Sequence, residues 1–162
     1  MLRLAVAGFP RLTLDTREIV RGGKSYTVDT LAELRNETPA RSLLLLVGAD
    51  AFLGLPTWHR WRDLFDLAHI VVVPRPGVAI DAALAEPLAS QWHARLTADA
   101  DLLRARTAGS IYVQPVTAQP ISSTGIRAAL GRGEARSVEV AGLLPPEVLA
   151  YIELHRLYLE SR

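Results

Sequence analysis

The chain has 162 residues, 49% of them hydrophobic and 22% charged, with a net charge of +1 and no cysteine. That length suits one domain burying roughly two-thirds of its unfolded surface. The near-zero charge offers no field for nucleic acid or an acidic membrane, and the missing cysteine excludes disulfides, thiolate catalysis and zinc–thiolate sites. No apolar run reaches the ~20 residues of a membrane span and no charged-then-apolar leader opens the chain, so a soluble, cytoplasmic protein is expected.

In chain order, Leu2 to Ala7 reads as the last turns of a helix stopped by Gly8 and Pro10. Alternation over Leu12, Leu14 and Thr16 predicts a strand, and Gly22-Gly23 a turn. Ser25 or Thr27 can cap a following helix whose apolar positions are Val28, Leu31, Ala32 and Leu34. Leu43 to Val47 is an unbroken apolar run, the pattern of a strand buried on both faces in a parallel sheet. Just past it come Gly48 and Asp50, at the carboxyl end where open α/β sheets bind ligands. A carboxylate there can accept two ribose hydroxyls, or simply cap the loop. Thr57 is a candidate cap for a helix over 58–67, in which Trp61, Leu64, Phe65 and Ala68 form the core-facing stripe. Trp58, at the start of that helix, can aim its indole at the strand ends and stack on a flat heterocycle.

A second buried parallel strand spans Ile70 to Val73 and ends at Pro74-Arg75-Pro76-Gly77, which sets Arg75 where it can meet a phosphate. Residues 81–106 read as helix broken at Pro87, with Trp92 a packing residue and His93 a surface one. Ile111 to Val113 is another strand, closed by Pro115. After Pro120, the run Ile121-Ser122-Ser123-Thr124-Gly125-Ile126-Arg127 opens a helix ending near Gly131. Three hydroxyls, free first-turn amides and an arginine one turn on suit an anion, although a serine cap with a surface arginine has the same appearance. Pro145-Pro146 starts a last helix to about Leu159, whose Val148, Leu149 and Ile152 are expected against the sheet and whose His155 is expected at the surface. Strands alternating with helices predict an α/β parallel sheet covered on both faces.

These pieces together resemble the bacterial nicotinate-nucleotide adenylyltransferases. The resemblance rests on Ser25-Tyr26-Thr27-Val28-Asp29-Thr30-Leu31, Gly48-Ala49-Asp50 with Leu55-Pro56-Thr57-Trp58, Arg75-Pro76-Gly77, the Ile121–Arg127 run, and Leu144-Pro145-Pro146 with Tyr151-Ile152. They stand in the family's order and cover almost the whole chain. The resemblance implies a Rossmann-like parallel sheet in a single, incomplete nucleotidyltransferase domain over residues 1–162. It implies that the 5′-phosphate of nicotinate mononucleotide attacks the α-phosphorus of ATP, with Mg²⁺, giving deamido-NAD and pyrophosphate. Carried over by position, Gly48 and Asp50 would hold the ATP ribose and Trp58 would stack on the pyridine ring. Amides near Val28 and His59 would bind the nicotinate carboxylate beside Thr27. Arg75, Ser122, Ser123, Thr124 and Arg127 would hold phosphates.

The family's opening strand, its loop of the form Gly-x-Phe-Asp-Pro-x-His-x-Gly-His and the next helix have no match here. The four histidines, His59, His69, His93 and His155, lack that spacing. No residue is therefore assigned as catalytic. By analogy, two strands are missing between the Leu12–Thr16 and Leu43–Val47 strands, which leaves inner edges unpaired. Met1 then reads as an internal methionine of a longer protein, and the chain alone is expected to transfer little adenylate. The competing readings are a nucleotide-binding remnant without catalysis, and an adenylyltransferase for nicotinamide mononucleotide or phosphopantetheine.

Overall fold

A computed structural model describes residues 1–75, 77, 79–117, 121–132, 140 and 142–158; Pro76, Pro120 and Leu159 lie outside these. The chain forms two compact units, Arg17–Ala118 on the one hand and Met1–Thr16 with Gln119–Arg162 on the other.

The first unit is built on a parallel sheet. Its strands are β1 (Leu44–Gly48), β2 (His69–Val73), β3 (Leu96–Thr97) and β4 (Ile111–Val113), in the order β1-β2-β4-β3. Leu45 pairs with Ile70, Val47 with Val72 and Ile70 with Ile111. Because side chains alternate along a strand, this register stacks Leu45, Val47, Ile70, Val72, Ile111 and Val113 on one face. That face carries the main core, closed by Val28 and Leu31 of α3 (Thr27–Glu37), Phe52 of α4 (Ala49–Leu53), and Trp61, Leu64 and Phe65. The stripe Trp61, Leu64, Phe65 and Ala68 is buried as expected, and Trp92 is buried while His93 is exposed.

β2 is buried on both faces, but β1 is not: Leu44 and Leu46 are 47% and 66% exposed. The unbroken apolar run of β1 suggested two covered faces. The register instead puts Leu44 and Leu46 beside Val71 and Tyr112 on the second face, in an open groove of about 410 Å³ that also reaches Leu103 and Arg104. β1 is an edge strand among the described residues.

Other expectations are also corrected. Residues 12–16 form no strand; the alternation is there, but no neighbouring strand supplies ladder bonds. Neither Ser25 nor Thr27 caps α3. Tyr26 occupies that position, and no side chain caps it. The single helix over 58–67 is two pieces, a 3-10 turn over Trp61–Asp63 and α5 (Leu64–Leu67), because Arg60 adopts a left-handed conformation (φ 49°) that no helix can propagate through. Thr57 does not cap it; its hydroxyl donates to the Gly54 carbonyl and closes the 3-10 turn Leu55–Thr57. Between residues 81 and 106 the helix divides into α6 (Ile80–Ala83), α7 (Leu88–Arg95) and α8 (Asp101–Ala105), and α7 runs directly into β3.

Two polar devices tie the amino ends of the strands. Arg35 of α3 donates to the carbonyls of Arg41, Leu67 and Thr107, which precede β1, β2 and β4 respectively, at 2.6, 2.6 and 2.7 Å. His69, fully buried at the start of β2, accepts the Ser110 amide on Nδ1 at 3.0 Å and lies 3.1 Å from the Arg106 carbonyl through Nε2. α2 (Arg17–Arg21) is held to α3 by Arg17 with Glu37 and Arg21 with Glu33, and the hydrogen bond that Arg21 donates to Glu33 raises the Arg21 guanidinium above its ordinary pKa.

In the second unit, α1 (Leu2–Val6), α9 (Ser123–Gly131) and α10 (Pro146–Leu154) share a smaller core of Ala129, Leu130, Val140, Val148 and Ile152. The sequence expectation set Val148, Leu149 and Ile152 against the sheet; their partners are these helical and loop residues instead. α10 ends at Leu154 rather than near 159, since Arg156 and Tyr158 have positive φ. His155 is exposed and stacks on Tyr151 with ring centroids 4.1 Å apart.

Candidate functional site

Within the sheet unit the predicted residues gather in two places. At the carboxyl ends of β1 and β2, Gly48 closes the strand and Asp50 lies in the first turn of α4. Arg75 follows β2, and its Nη1 is 3.1 Å from Asp50 Oδ2. Both side chains are more than half exposed, so this pair contributes little to stability and both groups stay available to a ligand. A Cβ on Gly48 would lie 3.7 Å from Arg75 Nε, an ordinary contact, which places the guanidinium close over the strand end.

The second place is a cleft of about 310 Å³ lined by Ser25, Tyr26, Thr27, Thr57, Trp58 and His59. Its size is at the low end of the range for ligand clefts, about 300–1,000 Å³. One wall is the turn entering α3. The other is the turn following the 3-10 segment Leu55–Thr57, where Trp58 is extended (ψ 147°) rather than helical. Trp58 is half-buried against the main core, so its ring is fixed by packing while part of it remains open to the cleft. Val28, 1% exposed, belongs to the core, and only its backbone can serve a ligand. The structure thus brings together Thr27, Trp58 and His59, from motifs about thirty residues apart in sequence.

The serine-rich run lies in the second unit. Ser122 caps α9, its Oγ accepting the Gly125 amide at 3.0 Å. A Cβ at Gly125 would stand 3.1 Å from Ser122 Oγ, close enough that the serine side chain would have to shift by a few tenths of an ångström. The cap leaves the exposed hydroxyls of Ser123 and Thr124 and the exposed Arg127 around the first turn, where amides precede the first intrahelical acceptors. A cleft of about 290 Å³ touches this turn through Ile121, Ser122 and Gly125.

Sequence reasoning passed over Tyr26, Arg60 and the pairing of Asp50 with Arg75. Tyr26 lines the cleft and stacks on His59 with centroids 4.3 Å apart and planes 34° apart. The ion pair of Asp50 with Arg75 joins two residues that were singled out separately. Arg60, bonded to Asp63 at 2.8 Å, sets the turn after His59. Only Tyr26 carried a signal, since it stands between two residues of a quoted motif.

Residues 1–129 match the cytidylyltransferase-like family model. A "probable nicotinate-nucleotide adenylyltransferase" of Dechloromonas aromatica is 47% identical over 99% of this chain and 73% of its own length. One of Halorhodospira halophila is 51% identical over 91% of this chain and 65% of its own length. The chain therefore spans about two-thirds to three-quarters of the length of these relatives. Among solved structures, Plasmodium falciparum nicotinic acid mononucleotide adenylyltransferase complexed with NaAD aligns with a TM-score of 0.57 at 15% identity, over 83% of this chain and 58% of that one. That likeness establishes the fold: a Rossmann-like α/β architecture with a parallel sheet. Among the described residues no helix is long and apolar enough to cross a membrane. The matched motifs, the fold and the identity to these relatives agree: the chain belongs to the nicotinate-nucleotide adenylyltransferase family.

Proposed function

We propose that the protein transfers the adenylyl group of ATP to nicotinate mononucleotide in the cytoplasm, and that this chain supplies the acceptor cleft and the ribose and phosphate contacts. The observation that carries the proposal is the cleft in which Thr27, Trp58 and His59 meet. An indole fixed by packing offers a face to one flat ring, and the amides of the turns beside it suit a carboxylate at that ring's edge. Asp50 accepts the ribose hydroxyls of ATP once Arg75 turns from it toward a phosphate. Ser123, Thr124 and Arg127 hold further phosphate charge.

In the reaction, an oxygen of the acceptor's 5′-phosphate forms a bond to the α-phosphorus of ATP. The bond from that phosphorus to the bridging oxygen breaks, and pyrophosphate leaves with the electron pair. Such chemistry rests on alignment and charge neutralisation rather than on a covalent enzyme intermediate. Among the described residues no three His, Asp or Glu side chains gather as a metal cage. Mg²⁺ would come with ATP as part of the substrate and would supply neutralisation of phosphate charge.

The test is to follow pyrophosphate and deamido-NAD from ATP, Mg²⁺ and nicotinate mononucleotide, using the chain and a chimera that adds the histidine-loop segment of a curated relative. Product from the chimera is expected. A chimera that adenylylates nicotinamide mononucleotide or phosphopantetheine, but not nicotinate mononucleotide, would overturn the acceptor assignment.

A further inference from the structure

Tyr26 touches both walls of the acceptor cleft. It is the residue before α3, in an extended conformation (φ −115°, ψ 133°). Its carbonyl accepts the amides of Asp29 at 3.1 Å and Thr30 at 3.3 Å, which fixes the first turn containing Thr27 and Val28. Its ring is partly buried against the main core and stacks on the His59 imidazole, centroids 4.3 Å apart. His59 is exposed and sits between Trp58, whose own packing is set by the core, and Arg60, whose backbone is left-handed. The turn is held on one side by the packing of Trp58 and on the other by the Arg60–Asp63 bond, and the ring contact with Tyr26 ties His59 between them to the start of α3.

We infer that Tyr26 is a positioning residue for the acceptor: its carbonyl and its ring together hold the Thr27 turn and the Trp58–His59 turn at the separation that admits one flat, carboxylate-bearing ring. This rests on the proposed function, because it takes the cleft to be the pyridine site. Tyr26 touches no reacting atom. It acts through His59, which lines the cleft and whose amide the proposed function assigns to the carboxylate, and through the start of α3. The stack needs an aromatic ring and makes no use of the phenol oxygen, so Tyr26→Phe preserves it.

The experiment titrates nicotinate mononucleotide and, separately, ATP into the full chain and its Tyr26→Ala, Tyr26→Phe, His59→Ala and Tyr26→Ala/His59→Ala variants, with a melting curve for each. An aromatic pair is worth about a 2- to 12-fold change in affinity. Tyr26→Ala and His59→Ala are each expected to weaken nicotinate mononucleotide by that factor, and the double variant by no more than the weaker-binding single one. Tyr26→Phe is expected to restore binding, and ATP affinity is expected to stay within twofold throughout. A merely structural tyrosine would lower the affinities for both ligands together with the melting temperature. Additive losses in the double variant, or no recovery in Tyr26→Phe, would overturn the inference. Should Tyr26→Ala not fold, His59→Ala decides alone, since that side chain is exposed: unchanged affinity for nicotinate mononucleotide overturns the positioning role. A wild-type chain that binds ATP but not nicotinate mononucleotide would instead remove the proposed acceptor site itself.

Discussion

Arg35→Met removes the guanidinium that gathers the carbonyls ahead of three strands. The bonds to Leu67 run at 2.6 and 3.2 Å in a partly buried setting, while those to Arg41 and Thr107, at 2.6 and 2.7 Å, are exposed. A hydrogen bond to a charged group is worth about 1.5–3 kcal/mol. The Leu67 carbonyl loses that in full, whereas water replaces much of the loss at Arg41 and Thr107. The sum is about 2–4 kcal/mol, which for a chain of this size is a fall in melting temperature of roughly 5–15 °C. Arg35→Lys should recover little, because one ammonium cannot span carbonyls arranged for a planar fork. The assay is thermal melting by circular dichroism, with binding of nicotinate mononucleotide measured well below the transition. Arg35 lies two turns along α3 from Thr27, so loosening its grip also frees the helix start that forms one cleft wall, and weaker acceptor binding should accompany the lower melting temperature. A melting temperature within about 2 °C of wild type would show that the carbonyls are equally well solvated without the arginine, and would refute the reasoning.

Asp50→Asn should change stability by less than about 0.5 kcal/mol, since its partner Arg75 and Asp50 itself are mostly exposed. It should nonetheless weaken ATP by roughly tenfold, because the ribose hydroxyls lose a charged acceptor; calorimetry and melting read the two effects separately. Ser122→Ala removes the α9 cap and should cost about 0.5–2 kcal/mol, seen as faster hydrogen exchange of α9 amides with those of the sheet unchanged. Arg127→Ala should weaken ATP, with a smaller salt dependence than wild type; a variant that titrates as wild type does at both low and high salt would remove the arginine from the phosphate site.

The first strand and the core stripe were legible because period and composition are local signals. Leu43 to Val47 announced a strand, and Trp61, Leu64, Phe65 and Ala68 announced a packed face, whatever the intervening backbone did. The errors came from properties that are not local. An apolar run does not report how many of its faces are covered, and Leu44 and Leu46 are open because no described element lies over them. Alternation at Leu12, Leu14 and Thr16 is necessary for a strand but not sufficient without a partner. The break at Arg60 depends on a left-handed conformation that an arginine rarely adopts, so no propensity argument would place it. For the site, Thr27, Trp58 and His59, singled out from separate stretches of sequence, line one cleft. Tyr26 escaped because its role is expressed through a ring contact with a residue 33 positions away.

The central claim is that the cleft beside Trp58 receives a pyridine ring. Its most direct test is calorimetric titration of nicotinate mononucleotide into the wild-type chain and Trp58→Ala, with ATP as the control ligand. Stacking on an aromatic side chain is worth on the order of 1–3 kcal/mol, so the variant should bind nicotinate mononucleotide roughly 5- to 150-fold more weakly and ATP almost unchanged. Equal losses for both ligands would mark Trp58 as a core residue that only shapes the fold. Unchanged binding of both would contradict the account, because the acceptor would then lie elsewhere.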